Sequence, residues 1–326
     1  MWRKIRLLAF ILAFIIMSAV ITSCGGMEIS QSESRQKISV IVKMKDADFF
    51  SVVHKGALAA SKEFGVDIIY NGPENEKDID KQISLVEDAI TNSYNAIVLA
   101  ASDYNKLSAV VEKAANQNIP VIIIDSQLNS DRTKGFIGTD NFDAGTKLAE
   151  TLVKRVGEKC QIAVMNFMKG AASSDMREKG VYNTLDKYTA INVIANMYCN
   201  SDEEIAYDLT NKLVEQNKNL NAIICTNAQS TVGVARSIND KKLAGKIKII
   251  GLDSTPEEVS LVENKVIDAL VIQNPFNMGY LGVKYAIEAI NNKSVPQYTY
   301  TGLTIIDKDN MYLPENEKLV FPFSDN

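Results

Sequence analysis

Lys43-Met44-Lys45-Asp46-Ala47-Asp48-Phe49-Phe50 stands between a β-branched run, Ile38-Ser39-Val40-Ile41-Val42, and a stretch whose apolar residues Val53, Ala57, Ala60 and Phe64 recur at helical spacing. A strand that feeds a helix through a short loop is the opening of an α/β unit. In an open parallel sheet, ligands sit beyond the carboxyl ends of the strands. This loop carries two adjacent aromatics and two carboxylates. That set suits a ligand with an apolar face and a rim of hydroxyls, because a ring stacks on a π face and acids accept hydrogen bonds. The residues alone leave a second option open, in which Phe49 and Phe50 start the helix and pack inward.

The rest of the chain repeats the unit. Strand signals at 67–70, 96–100, 121–124 and 135–138 alternate with helical signals at 51–64, 78–91, 104–116 and 144–155. A second series follows, with strands at 161–165, 192–197, 222–226, 247–252 and 269–272 and helices at 175–188, 203–215, 231–238, 256–263 and 279–291. Strict alternation predicts parallel sheets covered by helices on both faces. Two sets of about five strands predict two similar doubly wound lobes. Polar residues close several strands: Asp125, Asn227, Asp253 and Gln273. Each alone suits a cap or turn, but together with the first loop they predict one shared crevice.

The first 24 residues differ from the rest. Arg3, Lys4 and Arg6 precede an apolar run from Leu7 to Val20, then Ile21-Thr22-Ser23-Cys24. This is the plan of a secretory signal, with an uncleaved anchor helix as the other option. Its small residues before Cys24 resemble a bacterial lipoprotein signal, which implies lipidation at Cys24. Residues 25–36 read as a polar tether. Removing 1–24 takes away three cations and no acid, which moves the formal charge from −5 to −8. An acidic exported domain argues against nucleic-acid binding. Cys160, Cys199 and Cys225 form no disulfide framework or metal spacing, and Cys225 reads as a small buried hydrophobe. His54 is the single histidine. No Gly-x-Ser-x-Gly, His-Glu-x-x-His or Gly-rich phosphate loop occurs. The reading is therefore a binding protein, with no enzyme activity, no cofactor and no metal.

Several ordered motifs resemble the sugar-binding proteins of bacterial ABC importers, in the ribose- and galactose-binding group of type 1 periplasmic binding proteins. They are Asp48-Phe49-Phe50, Asn118-Ile119-Pro120 through Asp125, Ile137-Gly138-Thr139-Asp140-Asn141, Arg177-x-x-Gly180, Thr226-Asn227, Gly251-Leu252-Asp253-Ser254-Thr255-Pro256 and Ile272-Gln273. The resemblance implies two Rossmann-like lobes joined by a three-crossover hinge, near 139–140, 273–274 and 300–302. It implies an N-terminal lobe of 37–139 plus 274–302 and a C-terminal lobe of 140–273 plus 303–326. By the same resemblance Phe49 and Phe50 stack on a sugar ring, Asp125 and Asp253 accept from hydroxyls, Arg177 clamps, and Asn227 and Gln273 both donate and accept.

Departures from the pattern are Ala47 for an asparagine, Ser126 for an arginine, Ala228 for an acid, and no clean match for the expected second-lobe aromatic near Tyr198–Ser201. With Asp46, Asp48, Asp125, Asp175 and Asp253 set against Arg177, these departures suggest a modified or amine-bearing sugar as well as a plain pentose or hexose. The implied function is an extracytoplasmic, lipid-anchored, monomeric protein that delivers a monosaccharide to an ABC permease. The alternative is a sugar-sensing subunit that presents its closed form to a membrane histidine kinase or chemoreceptor.

Overall fold

The computed structural model describes residues 35–321 and Trp2. The expectations for 1–24, including lipidation at Cys24, and for most of the tether lie outside the described residues. The described residues from Gln36 onward form one compact unit.

The described chain runs β1 (Lys37–Ile41), α1 (Asp48–Phe64), β2 (Asp67–Asn71), α2 (Ile79–Thr91), β3 (Ala96–Leu99), α3 (Ser108–Asn116), β4 (Val121–Ile124), β5 (Gly135–Gly138) and α4 (Asn141–Val156). It continues with β6 (Cys160–Asn166), α5 (Ala172–Leu185), β7 (Ile191–Tyr198), α6 (Glu203–Gln216), β8 (Leu220–Cys225), α7 (Ala228–Asp240), β9 (Lys248–Leu252), α8 (Pro256–Glu263), β10 (Ala269–Ile272) and α9 (Pro275–Ile290). β11 (Tyr298–Tyr300), β12 (Thr304–Ile306) and α10 (Pro314–Val320) complete it.

Two six-stranded sheets result, ordered β2-β1-β3-β4-β5-β11 and β7-β6-β8-β9-β10-β12. The two orders are the same once β6 is matched to β1, so the expected pair of doubly wound lobes is present. Pairing is parallel throughout except for β12, which runs antiparallel to β10. The central strands β3 and β4 are fully buried, which explains their unbroken apolar runs. Each sheet carries an apolar core on both faces.

The chain passes between the sheets three times: from β5 to α4, from β10 to α9, and from β11 to β12. At the first two passages the helix packs on the other lobe. α9 lies against α1, and α4 lies against α5. Glycines make both crossings close. A Cβ on Gly56 would collide with the Phe276 carbonyl and one on Gly279 with that of Val53. Gly145 and Gly180 face the carbonyls of Arg177 and Phe142 in the same way.

Two expectations change. α1 starts at Asp48, so Phe49 and Phe50 lie in its first turn and not in a loop. α5 starts at Ala172, which puts Arg177 in the second turn, away from the helix N-terminus. The segment after Leu303 lies on the second lobe through β12 and α10, where Ser254 Oγ donates to the Leu319 carbonyl at 2.9 Å.

Candidate functional site

The strand-end acids occupy equivalent places in the two sheets. Asp125 follows β4 and Asp253 follows β9, and both adopt positive φ, 60° and 95°. Each backbone N–H is tied to the neighbouring strand: Asp125 to the Ile137 carbonyl at 3.0 Å, and Asp253 to the Val271 carbonyl at 3.1 Å. A left-handed residue at a strand end is strained for anything but glycine, and aspartate tolerates it better than most. The turn aims both carboxylates into the space between the lobes.

Arg177 is 3% exposed. Its Nε donates to Asn141 Oδ1 at 2.8 Å, Nη1 to the Thr226 carbonyl at 2.9 Å and Nη2 to Gln273 Oε1 at 3.0 Å. Burial lowers its proton affinity, and Asp253, Asp125 and Glu76 act in the opposite sense. Gln273 also accepts from Thr139 Oγ1 at 2.6 Å and donates to Asp253 Oδ1 at 2.7 Å. Thr139 and Gln273 lie on two of the three passages between the sheets, so one amide connects both to the arginine and the acid. Burial raises the pKa of Asp253, against the pull of Arg177 and Gln273.

A second buried cation was not anticipated. Lys43, 3% exposed, lies 2.8 Å from Asp125 Oδ2 and 3.5 Å from Glu76 Oε1, and donates to Ser173 Oγ at 3.0 Å. Ser201 Oγ donates to the other oxygen of Glu76 at 2.5 Å. Ser173 and Ser201 belong to the second lobe, while Lys43 and Glu76 follow β1 and β2 of the first. Phe167, just after β6, is 3% exposed and lies under both cations, 5.8 Å from Lys43 Nζ and 5.5 Å from Arg177 Cζ.

Lys43, Glu76, Phe167 and Ser173 line one cavity of about 40 Å³ with Phe49, Phe50, Asp125, Arg177, Asn227, Asp253 and Gln273. All seven residues anticipated from the sequence therefore converge. Their contributions differ. Phe50 is mostly packed into the first lobe's core, edge-on to Phe49 at 5.1 Å, and Phe49 is the more open ring. Asn227 caps α7 and spends its amide on Ser230, Ser201 and Gln229. A larger hollow of about 470 Å³ adjoins, sharing Phe49, Asp253 and Gln273 and opening toward Phe276 and Leu319.

Asp46, Asp48 and Asp175 are exposed and lie outside the cavity. The acid excess inferred from the sequence is thus smaller, since Lys43 offsets part of it. Sequence reasoning missed Lys43, Glu76 and Phe167. Phe167 carried a usable signal, because it follows β6 as the Phe49–Phe50 pair follows β1. His54 stacks on Tyr70 at 4.1 Å, on the rim of the first lobe. Cys160, Cys199 and Cys225 are free and buried, and no helix among the described residues is long and apolar enough to cross a membrane.

The chain matches the family model described as "Periplasmic binding protein domain" over residues 38–294. It is 27% identical over 276 residues to the D-allose-binding periplasmic protein of Escherichia coli, covering 82% of this chain and 89% of that one. It is 24% identical over 259 residues to the ribose import binding protein of Bacillus subtilis, covering 79% and 83%. An ABC transporter solute binding protein from Agrobacterium vitis with bound D-fucose superposes with a TM-score of 0.85 at 31% identity, covering 87% of this chain and 99% of that one. A carbohydrate transporter solute binding protein from Agrobacterium radiobacter in complex with D-arabinose gives 0.85 at 29% identity, covering 88% and 99%. With the twin-sheet topology, the interlobe cavity and a model match over most of its length, the chain belongs to the periplasmic binding protein domain family.

Proposed function

We propose that the protein is an extracytoplasmic solute-binding protein that captures a monosaccharide between its lobes for an ABC importer. The observation that carries this reading is the convergence of Phe49, Asp125, Arg177, Asp253 and Gln273 on one cavity between the two sheets. A ring face, hydroxyl acceptors and fork donors meet there, and each polar group is already oriented by a buried partner. The relatives named above for D-allose and ribose, and the structures with bound D-fucose and D-arabinose, support the same ligand class.

The cavity is far smaller than the roughly 300–1,000 Å³ of a typical small-molecule pocket. A monosaccharide needs more room than this, so we infer that the lobes part about the three connections to admit it. The role is binding and delivery, without catalysis. Lipidation at Cys24 would hold the monomer at the membrane beside its permease, with residues 25–36 as tether.

A thermal-shift screen of the full-length protein against pentoses, hexoses, inositols and amino sugars tests the reading. A ligand specific to the folded state adds about 4 kcal/mol at a thousandfold excess over Kd. A clear upward shift with a monosaccharide is expected. No shift across the panel with a folded protein contradicts the proposal.

A further inference from the structure

Lys43 and Glu76 present an unmatched donor beside an unmatched acceptor. An ammonium has three N–H donors and no acceptor, while a carboxylate has only acceptors. Lys43 Nζ uses two donors, on Asp125 Oδ2 at 2.8 Å and Ser173 Oγ at 3.0 Å. Glu76 uses Oε2 on Ser201, whereas Oε1 is buried without a hydrogen-bond partner. The free acceptor sits 3.5 Å from Nζ, too far for a good hydrogen bond between them. Both side chains line the interlobe cavity.

We infer that Glu76 is a specificity-determining residue of the cleft, and that with Lys43 it selects a neutral hydroxyl on the ligand. This rests on the sugar-binding reading of the same cavity. A hydroxyl is the ligand group that satisfies both atoms, since it donates to Glu76 Oε1 while accepting from Lys43 Nζ. Its oxygen can lie about 2.8 Å from each across a 3.5 Å gap. A ligand carboxylate there would face Glu76 and Asp125. A ligand ammonium would face Lys43 and could not accept from its free N–H. The ligand is thus a neutral polyol ring, and the amine-bearing and acidic sugars are selected against.

The pair also couples selection to closure. Ser173 and Ser201 come from the second lobe and orient Lys43 and Glu76, which belong to the first. The donor and acceptor take these positions when the lobes are together.

Calorimetric titration of the full-length protein tests the inference. The probes are D-allose, D-ribose, D-arabinose and D-fucose, then, for the tightest of them, its monodeoxy analogues, an amino analogue and the uronic acid. In the wild type, removing one particular hydroxyl is expected to weaken binding about 10- to 100-fold, the range for a hydrogen bond to a charged group. The amino and acidic analogues are expected to bind more weakly than the parent. In Glu76→Gln, affinity for the parent should fall at least tenfold while the sensitive deoxy analogue changes little.

Circular dichroism and the melting temperature of the unliganded variant report its folding. The wild-type deoxy, amino and acidic comparisons stand without it. If the wild type binds a neutral sugar but shows no sensitive hydroxyl, or if the amino or acidic analogue binds more tightly, the inference is overturned alone. Equal loss of parent and deoxy analogue in Glu76→Gln also overturns it. No binding of any of the four sugars to the wild type overturns the sugar reading, and this inference with it.

Discussion

Arg177 Nη2 donates to Gln273 Oε1 at 3.0 Å, and the same oxygen accepts from Thr139 Oγ1 at 2.6 Å. One buried amide thereby joins an arginine of the second lobe to two of the three passages between the sheets. Its Nε2 holds Asp253 at 2.7 Å. Gln273→Leu keeps the volume and removes the acceptor and the donor together. Each buried group left unpaired costs about 1–3 kcal/mol. The variant should lose about that much stability in urea denaturation and bind its sugar at least tenfold more weakly. Unchanged stability and affinity would mean the amide is replaceable.

Lys43→Met strands two carboxylates. Asp125 and Glu76 are 4% and 6% exposed, and Lys43 is the cation within ion-pair reach of both. Removing one partner of a buried ion pair costs about 3–5 kcal/mol, because the remaining charge stays desolvated. Opening the lobes would let water reach the acids. The loss should therefore appear partly as a shift toward an open form, seen as a larger radius of gyration in solution scattering. The double variant Lys43→Met with Asp125→Asn should recover part of the stability. An additive double variant would contradict the pairing.

The two glycine crossings differ in what they touch. A Cβ on Gly145 meets the backbone of Arg177, whereas one on Gly279 meets the backbone of Val53. Elsewhere in a helix, Gly→Ala gains about 0.5–1 kcal/mol. Here backbone must move, and overpacking typically costs about 1–3 kcal/mol. Both Gly145→Ala and Gly279→Ala should lower the melting temperature. Gly145→Ala should also weaken sugar binding, because it displaces the helix that carries Arg177. Equal effects of the two on affinity would contradict this assignment.

Much of the fold was legible in the chain, because parallel strands buried on both faces must be β-branched and unbroken. β4, Val121–Ile124, is the clearest case. β11 and β12 were not legible: three residues each at sheet edges, Tyr298–Tyr300 and Thr304–Ile306, are too short to carry a period. The convergence of Asp125, Asp253 and Gln273 was readable because each closes a strand. Lys43 and Glu76 were not, because a lysine after a strand and a glutamate in Asn71-Gly72-Pro73-Glu74-Asn75-Glu76-Lys77 look solvated. Their burial depends on Ser173 and Ser201, more than a hundred residues away in sequence.

Glu258 gives a pH signature. It is fully buried at the start of α8, where Oε2 accepts from the Thr255 N–H at 2.8 Å and Oε1 has no partner. Burial first, and then the charge of Asp253, push its pKa well above the ordinary 4.5. The folded state then holds more protons than the unfolded one between 4.5 and the raised value. The stability that proton supports is full below 4.5 and is lost as pH rises through the raised value. Glu258→Gln has no proton to lose. Its melting temperature should gain on the wild type as pH rises from about 4.5 to about 8. Because Glu258 and Asp253 act on each other, the difference reports the titration of the pair. A constant difference across that range would contradict the raised value.

The most direct test of the central claim is calorimetric titration of one neutral monosaccharide into the wild type, Arg177→Ala and Asp253→Ala. The account predicts one sugar per chain for the wild type and a loss of at least about 100-fold in each variant. Losing a charged hydrogen-bonding group costs about 1.5–3 kcal/mol per contact, and each of these residues makes several. Undiminished binding in folded Arg177→Ala and Asp253→Ala would contradict the claim that the sugar is held between the lobes.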